Sequence, residues 1–169
     1  MSLPKILGAI WYYAQRPLMI AAVVILAVLG IQYSLRAADL DMEGREMFRV
    51  LHEQQGWPMP TSYPTYHLGI TEDTTELCRK VAHYACYSRG HVWITAALLA
   101  DDAARKAVLL HENVHHLQWE KAGDSMNCQQ NWERERAAYK AQQIYLSENF
   151  HKYLGVTLPV CPPEQGGPR

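Results

Sequence analysis

Three histidines and two glutamates fall within the ten residues HENVHHLQWE, 111–120. His111 and His115 are four apart, so on a helix they stand one above the other on the same face, where two imidazoles can grip one ion. The segment HENVH is an HExxH pattern. Its glutamate, Glu112, can reach a water on the metal as general base without taking a ligand position. Catalytic zinc needs a third protein ligand and an open fourth position. NWERERAAYK, residues 131–140, offers that ligand in Glu135, with Ala138 three residues on. A small residue one turn from an acidic ligand lets two helices approach closely enough to share an ion. Glu133 competes for the same role but has Arg136, not an alanine, at the third position.

The neighbours of the motif carry simpler readings. Val108, Leu110, Val114 and Leu117 form the core stripe of the helix. His116, five residues from His111, points away from the metal face and is expected to be hydrogen-bonded or at the surface. Gln118, seven from His111, returns to that face and could border a cleft. Trp119 and Trp132 are expected to pack.

Two long helical patterns position these residues: Asp102–Ala122, stopped by Gly123, and a second over about 131–148. Ahead of them HYACYSRGHVWIT reads as a hairpin, with runs at Tyr84–Tyr87 and His91–Thr95 joined by Ser88, Arg89 and Gly90. Earlier still, Met47, Phe48 and Leu51 lie at helical spacing in a short helix that Gly56 stops. The proline-rich GWPMPTSYPTYHLGI contains no long regular element, although TYHLGI can add a strand. Residues 73–83, capped by Asp73 or Thr74, read as a further helix. The expected fold class is α+β, with an N-terminal transmembrane helix followed by a small zinc-binding domain built from a short sheet and two site-bearing helices.

The transmembrane expectation comes from residues 17–35, which carry no charge between Arg16 and Arg36. As a helix they span about 28 Å, close to the hydrocarbon thickness of a bilayer. Lys5 and Arg16 precede the run and Asp39, Asp41 and Glu43 follow it, which favours a cytoplasmic N-terminus. Trp11, Tyr12, Tyr13 and Tyr33 stand where interfacial aromatics do. The divisions expected are a cytoplasmic or interfacial stretch 1–16, a membrane helix 17–36, a linker 37–44 and an exported domain 45–169. The implied location is the inner membrane, single-pass, with the C-terminal domain periplasmic or extracytoplasmic. The bilayer is then one partner and a membrane protein a possible second. The alternative is a secretory signal cleaved after Ala37.

Export makes disulfides of the four cysteines, Cys78, Cys86, Cys128 and Cys161. Sequence leaves three pairings open; Cys78 with Cys86 closes a short loop and Cys128 with Cys161 pins the C-terminal tail, and that pairing is preferred. No CxxC supports a four-cysteine zinc site. The balance of 16 basic and 17 acidic residues, with no block of either sign, leaves no footprint for nucleic acid.

From Tyr84 to Leu146 the chain resembles the gluzincin metallopeptidases, and their smallest versions, the minigluzincins, in its hairpin ending HVWIT, its helix with HENVH and its helix with ERAAY. The resemblance implies one zinc ion per chain held by His111, His115 and Glu135, with Glu112 as base in hydrolysis of a peptide bond. It also implies that the strand His91, Val92, Trp93, Ile94 and Thr95 is an edge that pairs with an extended peptide or protein substrate. The chain departs from larger relatives at Tyr139, where many have Asp; this tyrosine could orient a ligand histidine from behind. No second lobe supplies an oxyanion donor, for which Tyr145, His151 and Tyr153 are the candidates. A binding or assembly protein that uses zinc as a staple is the reading from another class, and it would favour a closed site with four protein ligands.

Overall fold

The computed structural model describes residues 3–69, 84–124, 127–155 and 161, without the side chains of 3–18, 33, 34 and 37. The helix expected at 73–83 and Cys78 lie outside the described residues. By internal contacts the chain forms two units, Met1–Asp39 and Leu40–Arg169.

Helix α1 runs from Leu3 to Gln55. The expected linker at 37–44 is therefore helix. AADLDMEG holds no proline and is rich in alanine, leucine, methionine and glutamate, so nothing in it breaks a helix except Gly44, whose cost is modest. In the first unit, Met19, Ile20, Val23, Leu26 and Ile31 are exposed.

The expected membrane anchor is not supported. No helix among the described residues is long and apolar enough to cross a membrane. The single-pass topology and the inner-membrane location rested on that anchor and are not supported.

The second unit holds the core. Leu40, Met47, Phe48 and Leu51 recur on one face of α1 and are buried together with Tyr66, Val92, Ile94, Leu110, Val114, Ala138 and Tyr145. The proportions correct the α+β expectation: among the described residues the chain is mostly helical, and the sheet has three strands of four residues, β1 (Thr65–Leu68), β2 (Ala85–Ser88) and β3 (His91–Ile94). Prolines at 58, 60 and 64 lack ladder donors and leave the approach to β1 irregular.

The hairpin is tighter than expected. Ser88 pairs with His91, so only Arg89 and Gly90 form the loop, and both have positive φ, 44° and 86°. That is the backbone of a type I′ turn, which matches strand twist.

The strand order is β1-β3-β2, with β3 parallel to β1 and antiparallel to β2. This overturns the expectation that His91, Val92, Trp93, Ile94 and Thr95 form an edge. TYHL takes the far side of β3, and its ends are fastened by Thr65 N–H to Gly90 O at 2.8 Å and Gly69 N–H to Ile94 O at 2.7 Å. Among the described residues the edges are β1 and β2.

After a 3-10 turn at Ala96–Ala100, α2 spans Asp102–Ala122. Asp101 caps it by accepting from Ala104 N–H, and Gly123 ends it at φ 66°. Helix α3 spans Cys128–Phe150, starting earlier than expected because Asn127 caps it by accepting from Gln130 N–H. Cys128 is bonded to Cys161, with Cα atoms 5.8 Å apart. Cys86 is also disulfide-bonded.

Candidate metal centre

Helix α2 carries His111 and His115 one turn apart, and α3 packs against it. The two Nε2 atoms come within 3.1 Å of each other. From α3, Glu135 places Oε2 3.5 Å from His111 Nε2 and Oε1 3.3 Å from His115 Nε2. The three ligand atoms lie within 4.8 Å of one another, and the group could hold a metal ion. Ala138, one turn beyond Glu135, is fully buried. Glu133 instead accepts from the Gln129 amide at 2.9 Å on the exposed side of α3, so the competing ligand is out of position.

Each histidine is held from behind by a glutamine. His111 Nδ1 lies 3.1 Å from Gln142 Oε1, and His115 Nδ1 lies 3.0 Å from Gln118 Oε1. An amide oxygen only accepts, so a proton on each Nδ1 satisfies the glutamines, and in that tautomer each Nε2 has a lone pair to offer an ion at the shared point; without an ion, an Nε2 that carries a proton instead donates to Glu135. For Gln118 the amide orientation is fixed by its other end, which donates to Arg134 O at 3.1 Å. A donor set of two imidazole nitrogens and one carboxylate suits a divalent metal ion. Among the described residues no fourth histidine, cysteine or carboxylate joins the group.

Glu112 is buried beside the ligands. Burial pushes its carboxyl above the usual range and Glu135 reinforces this, while His111, His115 and a hydrogen bond from the Tyr87 backbone oppose it. Strand β2 is thereby brought against Glu112. Burial works against ionisation of Glu135, yet hydrogen bonds to His111 and His115 hold it well below the ordinary carboxylate range. Burial also disfavours the His115 cation, but Glu135 and Glu112 outweigh it and raise the pKa.

Of the further candidates, only Tyr139 is at the centre. Its ring stands edge-on to His111 with centroids 4.4 Å apart. Tyr145 is buried in the core against Phe150, and burial raises its pKa, aided by Asp102, Glu43 and Glu46. His151 caps the end of α3 in the left-handed conformation and Tyr153 is exposed. Tyr145 and His151 lie ten and sixteen residues beyond Glu135, about 15 and 24 Å of helix rise, and do not reach the centre.

His116 is a buried, hydrogen-bonded residue. Its Nε2 donates to Ser62 O at 2.7 Å and its Nδ1 lies 3.2 Å from the Tyr87 hydroxyl. Burial pushes that hydroxyl's pKa up to about 12 against the opposing Gly90 N–H bond, so it stays a donor. Trp119 stacks on His116, as packing predicts.

Sequence reasoning missed Gln142 and Asn113. Gln142 is seven residues from Glu135, two turns along the same face, and that spacing was its one available signal. Asn113, inside the motif, is fully buried: it accepts from Tyr66 O–H at 2.7 Å and donates to Gly44 O at 2.7 Å. A β-carbon at Gly44 would overlap the Tyr66 ring, which explains the glycine.

Comparison of the chain with models of known protein families, with curated proteins and with solved structures finds no match.

Proposed function

We propose that the chain is a zinc-dependent peptidase in which His111, His115 and Glu135 hold the ion and Glu112 is the general base. The convergence of two glutamine-backed Nε2 atoms and one carboxylate beside a buried, non-ligating glutamate carries this reading. The resemblance to gluzincins, drawn from the same HENVH and ERAAY residues, agrees with it.

When bound, zinc supplies Lewis acidity and makes water nucleophilic at neutral pH. Glu112 takes the proton of the attacking water and returns it to the departing amine. Its raised pKa suits both halves of that exchange. Tyr139 keeps its phenolic proton, because burial, Glu135 and Glu112 all raise its pKa, and it donates to the oxygen that gains charge.

An extended peptide pairs along β2, the edge whose Tyr87 backbone meets Glu112. A hollow of about 630 Å³ lined by Trp57, Met59, Leu117 and Gln118 takes an apolar side chain. Gln118 lines this hollow and also holds His115, so the two adjoin.

The test is hydrolysis of a mixed peptide library by the zinc-loaded chain and by Glu112→Gln at equal zinc content. Cleavage that disappears in the variant supports the proposal; equal cleavage, or none by the unaltered chain, contradicts it.

A further inference from the structure

The outer face of the sheet carries a second pair of convergent imidazoles. In the parallel pairing of β1 with β3, Thr65 is opposite His91 and His67 is opposite Trp93. Alternation along the strands places His67, His91 and Trp93 on the face away from Val92 and Ile94, which are in the core. His67 Nε2 lies 3.0 Å from His91 Nδ1, a separation close to that of the two ligand nitrogens on α2.

Both rings are held in place. Trp93 stacks on His67 with centroids 5.3 Å apart and planes 18° from parallel, and it lies 5.6 Å from His91 at 35°. Ordered rings spare a ligand much of the cost of fixing two side chains on binding. As neutral imidazoles the facing nitrogens share a single hydrogen bond, one ring donating and the other accepting; when the donor ring carries its hydrogen on its other nitrogen, both facing lone pairs are free for a metal ion.

We infer that His67 and His91 form a second, nitrogen-only site for a copper(II)-type divalent ion on the outer face of the sheet. Metal–nitrogen bonds of about 2.0–2.1 Å spanning this gap subtend about 90° at the ion, the cis angle of tetragonal coordination. Imidazole alone, without a carboxylate, places copper(II) above zinc in affinity by the usual divalent order. Both rings bind as neutral imidazoles, each keeping its one N–H on the nitrogen that faces away from the ion, and water completes the coordination.

The test titrates copper(II) chloride into the full zinc-loaded chain, with zinc and copper counted separately and paramagnetic resonance recorded. Binding of one copper with zinc retained, a two-nitrogen coupling pattern and quenched Trp93 fluorescence is the expected result. Either His67→Gln or His91→Gln should abolish that copper while leaving the zinc count unchanged. Copper that only displaces zinc, or that binds equally in both variants, overturns the inference. Should a variant fail to fold, the unaltered chain still decides, because a spectrum without two coupled imidazole nitrogens also overturns it. Since zinc is counted directly, failure here is separate from failure of the peptidase reading.

Discussion

Gln118 and His115 are joined by a 3.0 Å contact between the amide oxygen and Nδ1, while the same amide donates to the backbone of Arg134, the residue before Glu135. One side chain on α2 thus orients a ligand on its own helix and ties it to the helix that supplies the carboxylate. Gln142 does the reciprocal task, reaching from α3 to His111.

Removing either glutamine should weaken the metal without removing a ligand. Gln118→Leu and Gln142→Leu are each expected to lower zinc affinity by about 10- to 100-fold, the usual effect of losing a ligand's outer partner. Competition with a chromophoric chelator measures this, and unchanged affinity would remove the glutamines from the account.

The two glutamates on α3 should behave differently. Glu135→Gln is expected to lose zinc at concentrations where Glu133→Gln keeps one ion per chain, because only Glu135 faces both histidines. Equal retention by the two variants would put the third ligand elsewhere.

Asn113 tests the support beneath the motif. Asn113→Ala leaves the buried Tyr66 hydroxyl without its acceptor, at a cost of about 1–3 kcal/mol, and removes the second hydrogen bond that the helical Gly44 carbonyl accepts. Urea denaturation should show the lower midpoint, and Gly44→Ala should also destabilise by pressing on the Tyr66 ring.

Glu120 gives a pH signature outside the metal centre. Burial raises its carboxyl, but donors from the hydroxyls and N–H groups of Thr61 and Ser62 bring it down to about 2 from an ordinary 4.5. A depressed folded-state value means the stabilisation is complete above about 4.5 and is lost as pH falls towards 2. Urea midpoints taken at pH 6 and pH 3 should converge in Glu120→Gln relative to the unaltered chain; parallel curves would refute this.

What could be read from the sequence was what local spacing determines. HENVH and its helix follow from 3.6-residue periodicity, and the Ala138 criterion separated Glu135 from Glu133 in the way the structure places them. Gln142 depends on how α3 lies across α2, which no local pattern encodes. The edge position of β3 is an implication of the resemblance alone; its parallel pairing with β1, more than twenty residues away, is a non-local contact that no local pattern encodes. Tyr145 and His151 were candidates by type alone, and helix rise carries both away from Glu135. The N-terminal run was weighed by apolar composition, whereas α1 continues as helix past residue 36 and no described segment is long and apolar enough to span a bilayer.

The central claim is that His111, His115 and Glu135 hold one zinc ion. The most direct measurement is the metal content of the full chain purified without chelator or added metal, beside His111→Ala. The account predicts close to one zinc per chain, lost in the variant; a folded chain without metal, or zinc kept by His111→Ala, would contradict it.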